Sequence, residues 1–505
     1  MSEDSQTRRD FLRRCSAGAA GVMLSPLLAR AGRGKRPNIL WIIAEDLSPD
    51  LGCYGEVLVK TPNIDKLAAE GARYTNAFTT SPVCSPSRSA FMTGMYQTSI
   101  GCHHHRSHRY DNYSLPEPVK VITDYFRQAG YFTCNCAGLN WQKPGKTDFN
   151  FNVKKPFDGT DWRQRKKGQP FYAQINLPET HRPFKRDAAN PIDAENVKLP
   201  PYYPDHPITR RDWADYLECI QVLDRKVGEV LKRLKDDGLA DDTVVFFFGD
   251  NGRPHVRGKQ FLYEGGIHVP LIIRWPGHIE RDSVVDDLVS AIDFGPTCLQ
   301  LAGVEVPEHM EGRTFMGPDS RKRKFIVAAR DRCDGTVDRI RCVRTRRFKY
   351  IRNYFPNRPY TQFNLYRRHR YPVWTLMQIL YAEGKLTAEQ ELFMASTRPE
   401  EELYCLPNDP YELQNVVKAA EYKGALKKLR AVFDAWIKRT GDQGGIAEDP
   451  RIGVIAYQDV QKYYEPEQKK RGLPATASPA EYLKYWEKRF FPSAPEKKRK
   501  NSPCL

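Results

Sequence analysis

The chain has 505 residues, of which 40% are hydrophobic, and its 79 lysines and arginines outnumber its 62 aspartates and glutamates. This composition supports a sizeable packed core and excludes an intrinsically disordered chain. The net charge of +17 favours acidic partners, namely nucleic acid, an anionic membrane, or sulfated or phosphorylated substrates. The alternative is that the excess is solvated surface, since much of it lies in the clusters RQRKK, SRKRK and EKKRK.

Residues 1–31 have the pattern of an export signal. The pair Arg8-Arg9 precedes a short apolar stretch, which leads to the sequence Ala-Arg-Ala at 29–31. The pattern predicts a twin-arginine signal peptide, and therefore a periplasmic or extracellular protein that meets the export machinery as a partner. The apolar stretch is too short to cross a bilayer securely, so no stable membrane span is expected. A chance basic amphipathic tail is the alternative.

The next segments alternate between buried strands and helices. The runs 37–44, 242–249 and 269–277 are nearly continuous in apolar residues, which is typical of strands buried on both faces. A helix is predicted from Pro62 to a stop at Gly71, and a long one over 211–238. This alternation predicts an α/β sandwich with a mainly parallel sheet.

The pattern changes after about residue 320. The segments 324–331, 338–354 and 401–406 predict shorter and more exposed strands, and 424–439 predicts a helix with one apolar face. We therefore expect a catalytic domain over 37–320, a smaller α+β domain over 321–490, and a basic, disordered tail over 491–505.

Two of the buried strands end in oxygen-bearing side chains. Glu45 and Asp46 follow the first strand, and Asp250 and Asn251 follow the strand over 242–249. If both strands belong to one parallel sheet, these side chains converge at its carboxyl edge. Three carboxylates and one amide suit a hard cation, Ca²⁺ or Mg²⁺, better than zinc. For Asp250-Asn251 alone, a tight turn is the alternative.

The stretch Cys84-Ser85-Pro86-Ser87-Arg88 is similar to the C-x-P-S-R signature of the type I sulfatases of the alkaline phosphatase superfamily. The resemblance runs from about residue 37 to 416 and includes GDNG, GKQFLYEGGIHVPLIIRWPG and ELYCLPNDPYELQN. It implies a large, mainly parallel central sheet flanked by helices, with a smaller C-terminal α+β domain that contains an antiparallel sheet.

The resemblance also gives the cysteine a role. In that family a separate maturation enzyme oxidises it to formylglycine, so Cys84 is expected to become an aldehyde and, with the metal, to form part of the active site. The aldehyde hydrate has two hydroxyls on one carbon, one to attack sulfur and one to expel sulfate afterwards. Arg88 is expected to hold the hydrate or a metal-binding carboxylate. An inert buried cysteine before a helix is the alternative.

Three further cations correspond to family positions. Lys259 matches a lysine that contacts the sulfate, and His181 matches a histidine placed near the leaving atom, where it could protonate the leaving group. Lys146 lies in Gly-Lys-Thr-Asp where the family has Gly-Lys-x-His, and it can still meet the sulfate. Asp148 replaces the family's histidine, which puts the acid/base role there in doubt and leaves Asp148 as a candidate for substrate binding. Glu45 stands where the family has aspartate, and its additional methylene puts the metal geometry in doubt.

Two weaker candidates concern substrate binding. In the histidine-rich segment 102–110, we expect His105 in an active-site wall or an exposed loop rather than a zinc site, because adjacent histidines of a strand point to opposite faces. Arg330 and Arg332 could contact a sugar from the smaller domain, but a structural salt bridge explains them equally well.

The sequence therefore predicts an exported hydrolase that removes the sulfate group, as an ester or a sulfamate, from a sulfated carbohydrate. EDLSPDLGCYG resembles the heparan N-sulfatase branch of the family. Three alternatives remain open: a phosphoric ester hydrolase of the same superfamily, a sugar-binding protein whose Cys84 is never matured, and a nucleic-acid binder. The nucleic-acid binder rests only on net charge. The sequence contains no recognition module for nucleic acid, and the export signal argues against this alternative.

Overall fold

A computed structural model describes residues 36–108 and 111–492. Within them, the main sheet has eight strands in the order β4-β3-β5-β1-β6-β7-β2-β8. The strands are β1 Asn38–Ala44, β2 Ala72–Phe78, β3 Phe132–Ala137, β4 Asn140–Pro144, β5 Phe171–Leu177, β6 Thr243–Gly249, β7 His268–Arg274 and β8 Ser283–Ser290.

The sheet is mixed, with a parallel centre. Strands β3, β5, β1 and β6 are parallel neighbours, β2 pairs in parallel with β8, and β7 runs antiparallel to both β6 and β2. The predicted α/β sandwich is thus confirmed. In the central register, Ala44 lies opposite both Leu177 and Gly249. Because these three strands end level with one another, the residues that follow them share one edge of the sheet.

Helices cover both faces of this sheet. They are α1 Pro62–Ala69, α2 Cys84–Thr93, α3 Ile122–Gln128, α4 Pro207–Asp236, α5 Glu264–Ile267 and α6 Phe294–Leu301. Alternate side chains of β1 point to opposite faces. Leu40, Ile42 and Ala44 pack in one apolar cluster with α1 and α4, whereas Ile39 and Trp41 pack in another with α2, α3 and α6. All seven residues of β1 are buried because neither face of the strand meets solvent.

Gly71, which was predicted to stop the first helix, has a different structural role. Helix α1 ends at Ala69, and a Cβ at Gly71 would lie 2.2 Å from the carbonyl oxygen of Ile273 in β7. The glycine is therefore required by the close approach of two backbones rather than by a left-handed backbone conformation.

A second, antiparallel sheet follows in the order β12-β11-β10-β9, with strands β9 Ile326–Arg330, β10 Ile340–Arg344, β11 Phe348–Asn353 and β12 Glu401–Cys405. The expectation of exposed strands was wrong: all five residues of β9 and of β10 are buried. One cause is the helix α10 Lys423–Thr440, whose predicted apolar face packs Leu429 and Trp436 against this sheet.

The remaining helices are α7 Leu365–Arg370, α8 Pro372–Ala382, α9 Ala388–Glu391, α11 Pro450–Lys470 and α12 Pro479–Phe490. None of the helices that the structure describes is both long and apolar enough to cross a membrane. The predicted signal peptide over 1–31 and residues 493–505 of the predicted tail lie outside the described residues. The domain boundary near residue 320 stays a prediction.

Candidate active site

The structure brings the two acidic strand ends together. Asp46 follows β1 with a left-handed backbone (φ 54°), and its amide donates a 3.0 Å hydrogen bond to Oδ1 of Asp250, which follows β6. The amide of Asp250 donates to the carbonyl of Ala44 at 3.0 Å, and the amide of Leu47 donates to the carbonyl of Asn251 at 2.9 Å. Both ends are thus fixed by backbone bonds, and their side chains share one buried space.

Cys84 is the first residue of helix α2 and lies against this acidic edge. Val83 before it is extended and caps the helix without a side-chain hydrogen bond. The Cys84 thiol donates to Oδ1 of Asp46 at 3.6 Å and accepts from Nζ of Lys259 at 3.2 Å. Burial raises the pKa of Cys84 to about 12, although nearby lysines act in the opposite direction. At neutral pH the unmodified side chain is therefore a thiol, which is a weak nucleophile.

Arg88 lies one turn further along the same helix and holds Asp250. Its Nε donates to Oδ2 of Asp250 at 2.9 Å, and its Nη1 donates to Oδ1 of Asn176 at 2.7 Å. The hydroxyl of Ser87 donates to the carbonyl of Asp250 at 2.6 Å. The predicted contact between Arg88 and a candidate metal ligand is therefore present. Asn176, at the end of β5, was not singled out from the sequence because a single asparagine in an apolar run gives no functional signal.

The other predicted cations face the carboxylates at the same edge. Lys259 donates from Nζ to Oδ1 and Oδ2 of Asp46, at 2.7 and 2.9 Å. His181 lies with Nε2 3.7 Å from Oδ2 of Asp46, while its Nδ1 hydrogen-bonds the carbonyl of Arg182 at 2.7 Å. Burial alone would raise the pKa of Asp46, but Lys259 and His181 hold it at about 2. Asp46 is therefore ionised throughout the neutral range.

Glu45 and Lys146 form a separate pair. Nζ of Lys146 lies 2.9 Å from Oε2 of Glu45 and 3.8 Å from Oδ2 of Asp148. Asp148 also accepts from Nε of Arg106 at 3.3 Å. The residue that replaces the expected histidine is thus placed between two cations.

The donor set at the two strand ends fits a hard divalent cation. Asp46, Cys84 and Asp250 each offer an atom within 4.8 Å of the others. Oδ1 of Asn251 is buried and accepts no hydrogen bond from any residue that the structure describes, while its Nδ2 donates to Asp46 at 2.9 Å. An unpaired buried acceptor beside two carboxylates is costly unless a cation binds there. Glu45 is outside this group and pairs with Lys146 instead.

A cavity of about 410 Å³ leads to this site. Cys84, His181 and Lys259 line it together with His105 and Tyr366, whose ring centroid lies 5.5 Å from Nζ of Lys259. His105 lies where a wall residue was expected, and its Nδ1 is 3.0 Å from Oδ1 of Asp334. Tyr366, Gln260 and residues of helix α11 also line the cavity and were missed from the sequence. The available signal was the helical spacing of apolar residues between 452 and 464.

Arg330 and Arg332 are not brought to the cavity wall. Arg330 is buried in an ion pair with Asp338, and Nη2 of Arg332 donates to Oε1 of Glu448 at 2.9 Å. Both arginines therefore form structural salt bridges, which was the alternative interpretation of these positions.

The fold and the site together define a hydrolase of the alkaline phosphatase type. Cys84 lies at a helix N-terminus, beside paired carboxylates and two lysines, which is an arrangement suited to binding anionic esters.

The chain belongs to the sulfatase family. The model of the sulfatase domain matches residues 37–165 and 157–304, and the model of the C-terminal domain of N-sulphoglucosamine sulphohydrolase matches residues 255–394. The predicted family and enzyme class are thus confirmed.

Curated relatives carry the same family name. An ulvan-active sulfatase of Formosa agariphila is 35% identical over 475 residues, which cover 83% of this chain and 78% of the relative. The human N-sulphoglucosamine sulphohydrolase is 25% identical over 83% of this chain and 93% of its own length.

Solved structures are similar in fold. One, described as a complex with its substrate D-glucosamine-2-N,6-O-disulfate, aligns with a TM-score of 0.56 and 19% identity over 81% of this chain and 99% of that chain. A phosphonate monoester hydrolase of Silicibacter pomeroyi aligns with a TM-score of 0.57 and 18% identity over 81% and 96%. At these identities the likeness establishes the fold alone.

Proposed function

We propose that this sulfatase releases inorganic sulfate from a sulfated carbohydrate, using a formylglycine made from Cys84 and a divalent metal ion, Ca²⁺ or alternatively Mg²⁺. The observation that carries the proposal is the position of Cys84: its sulfur lies at a helix N-terminus, within 3.6 Å of Asp46 and 3.2 Å of Lys259, at one end of a cavity. The names of the relatives, an ulvan-active sulfatase and an N-sulphoglucosamine sulphohydrolase, support a carbohydrate substrate.

The chain's own residues bind and orient the sulfate group. Lys259 and Lys146 supply positive charge on two sides of position 84, and the amides at the start of α2 supply partial positive charge. Arg88 holds Asp250 in one orientation through their buried hydrogen bond. His181 presents Nε2 to the same space, so it is the candidate to protonate the leaving oxygen or nitrogen.

The modified residue and the metal each add one kind of chemistry. A formylglycine at position 84 supplies, as its hydrate, one hydroxyl for attack on sulfur and a second for the release of sulfate. Asp46, Asp250, Asn251 and position 84 would hold a divalent cation, which would supply Lewis acidity to the site. For Glu45 we propose a different role from the family's aspartate: through its pair with Lys146 it orients that lysine.

Maturation and localisation belong to the same proposal. A formylglycine-generating enzyme is the required partner, because converting the Cys84 side chain to an aldehyde is an oxidation with loss of its sulfur, which needs a separate catalyst and an external oxidant. Residues 1–31 carry the proposed twin-arginine export signal, so we expect the mature protein in the periplasm or outside the cell.

Mass spectrometry of the Cys84 peptide tests the proposal most directly. In protein made by its own host, we expect the mass of the aldehyde in place of the thiol. Cys84→Ser and Cys84→Ala should both lack multiple turnover. An unmodified thiol in active protein would contradict the mechanism.

The same preparation distinguishes the proposed activity from its alternatives. We expect the enzyme to hydrolyse an aryl sulfate much faster than the matching aryl phosphate. Strong preference for the phosphate would favour a phosphoric ester hydrolase, and binding of a sulfated glycan without release of sulfate would favour a binding protein.

A further inference from the structure

One face of helix α11 lines the cavity that leads to Cys84. The residues of this face follow one another at intervals that alternate between three and one, which places them on a single side of a helix. Those that are not buried are Ile452, Ile455, Ala456, Asp459, Val460 and Tyr463, and the buried Tyr464 also lines the cavity. We call this set the α11 face.

The α11 face differs in chemistry from the part of the cavity around position 84. There the wall carries the cations Arg106 and Lys259 beside the imidazole of His181. The α11 face is mostly apolar and ends in an aromatic ring. A ligand that fills this cavity therefore needs an anionic end for the cationic wall and an apolar face for the helix. A sulfated sugar has both, since the C–H groups of a pyranose ring form apolar patches between its hydroxyls.

The residues that line the cavity differ widely in exposure. Cys84 is nearly buried, with 3% of its surface exposed, whereas Ile455 is 43% and Tyr463 is 66% exposed. The exposed part of the α11 face is accordingly available to a sugar unit beyond the one whose sulfate lies at Cys84.

Other contacts hold the helix in place without the α11 face. Glu448, just before the helix, pairs with the buried Arg332. A Cβ at Gly335 would lie 2.9 Å from Cβ of Tyr457, so the helix packs closely on the chain there. Near its other end, Glu467 accepts from Arg370 at 2.8 Å. Exposed residues such as Tyr463 are therefore not needed to dock the helix.

The helix also lies outside the segments that define the family. The two family models together match residues 37–394, whereas α11 spans Pro450–Lys470. The contacts that it offers a ligand therefore come from a part of the chain that neither model matches.

We infer that the α11 face is a specificity-determining wall that binds a sugar unit next to the sulfated one, so that the enzyme prefers sulfated oligosaccharides to small sulfate esters. The inference rests on the proposed function. Tyr463 contributes by stacking on the ring of that sugar, and Ile455 by apolar contact with it.

The test compares two sizes of substrate in the full-length, matured enzyme. The small probe is 4-nitrophenyl sulfate, and the large probes are size-fractionated oligosaccharides of ulvan, heparan sulfate and chondroitin sulfate, with released sulfate measured by ion chromatography. We expect Tyr463→Ala and Ile455→Ala to lower kcat/KM on the preferred oligosaccharide about tenfold, mainly through KM. On 4-nitrophenyl sulfate, kcat/KM should change less than twofold.

Val454→Ala is the matched control, because Val454 is an exposed apolar residue of the same helix that does not line the cavity. Its kcat/KM should equal the wild-type value on both probes. Equal losses on both probes for Tyr463→Ala, or none, would overturn the inference. So would wild-type enzyme that hydrolyses the aryl sulfate but no oligosaccharide. Failure on every probe would instead reject the proposed function.

A second copy of the chain is the other occupant that an exposed apolar helix face could have. If Tyr463→Ala abolished a dimer in size-exclusion chromatography and left the oligosaccharide kinetics unchanged, the face would be a contact between copies and the inference would be wrong.

Discussion

Arg88 donates from Nε to Oδ2 of Asp250 across 2.9 Å, and both side chains are completely enclosed by protein. This pair joins the helix that carries Cys84 to the strand end that offers the candidate metal ligands. Its removal therefore affects both the stability of the fold and the position of the nucleophile.

We expect Arg88→Ala to lower the free energy of unfolding by about 3–5 kcal/mol, because it leaves the charge of Asp250 buried without its partner. Urea unfolding in the presence of a chelator measures the effect without compensation by a bound cation. The control is Arg163→Ala, which breaks an ion pair with Asp237 in which the arginine side chain is 56% exposed. This change should cost much less, because an exposed ion pair is solvated and screened. Equal costs for the two variants would contradict the assignment.

Calcium binding can be tested by stability as well as by activity. A cation between Asp46 and Asp250 offsets their like charges and satisfies Oδ1 of Asn251. Added Ca²⁺ should therefore raise Tm, by a stabilisation of about 2.7 kcal/mol at a hundred times its Kd.

Asn251→Ala should weaken this Ca²⁺-dependent rise in Tm, and Asp46→Asn should remove it. Isothermal titration calorimetry provides the binding constants directly. Asp286→Asn alters an exposed aspartate on β8 and should behave as wild type. A Ca²⁺ response that persists unchanged in both site variants would place the ion elsewhere.

His181 can be tested through the leaving group. If Nε2 delivers a proton to the leaving atom, His181→Gln should reduce kcat about 10²–10⁴-fold on an alkyl or sugar sulfate, whose leaving group is a poor one. On an aryl sulfate with an acidic phenol the loss should be less than about tenfold, since that phenolate leaves unprotonated. Steady-state kinetics on both substrates measure the difference, and the exposed His278→Gln serves as the control. A uniform loss would indicate a role in binding instead.

The contacts of His369 with helices α11 and α12 should make the stability of the protein fall at acidic pH. Its ring stacks on that of Tyr464 in α11, with centroids 4.6 Å apart and planes at 10°, and its Nδ1 lies 3.2 Å from the hydroxyl of Tyr482 in α12. Burial lowers the pKa of His369 to about 3, and three arginines, foremost Arg471, act in the same direction.

An unfolded histidine titrates near pH 6.5, so the neutral ring contributes its full stability above that pH. As the pH falls from about 6.5 towards 3, the unfolded state takes up the proton first and stability is lost, by up to about 1.4 kcal/mol per unit. His369→Phe should reduce this slope, as measured by unfolding at pH 7.5, 6 and 5, while His278→Phe should keep it. Parallel wild-type and His369→Phe profiles would exclude His369 as the cause.

Much of the fold could be predicted from local patterns. The apolar runs of β1, β6 and β7 identify strands buried on both faces, and the 3.6-residue period identifies α4, because each pattern reports directly which faces of an element meet protein. Local sequence likewise places the acidic residues at the ends of β1 and β6, but the tertiary structure decided that these two strands are neighbours and so brought the ends together. The motif at Cys84 was sufficient to indicate the family.

The tertiary structure decided which partner each charged side chain has. Glu45 pairs with Lys146, 101 residues away, and Arg332 pairs with Glu448, 116 residues away. Such pairs depend on how distant segments pack, and a short window of sequence holds no information about them. The same reason explains why β9 and β10 are buried despite their arginines, and why α11, an ordinary amphipathic helix by sequence, became a wall of the cavity.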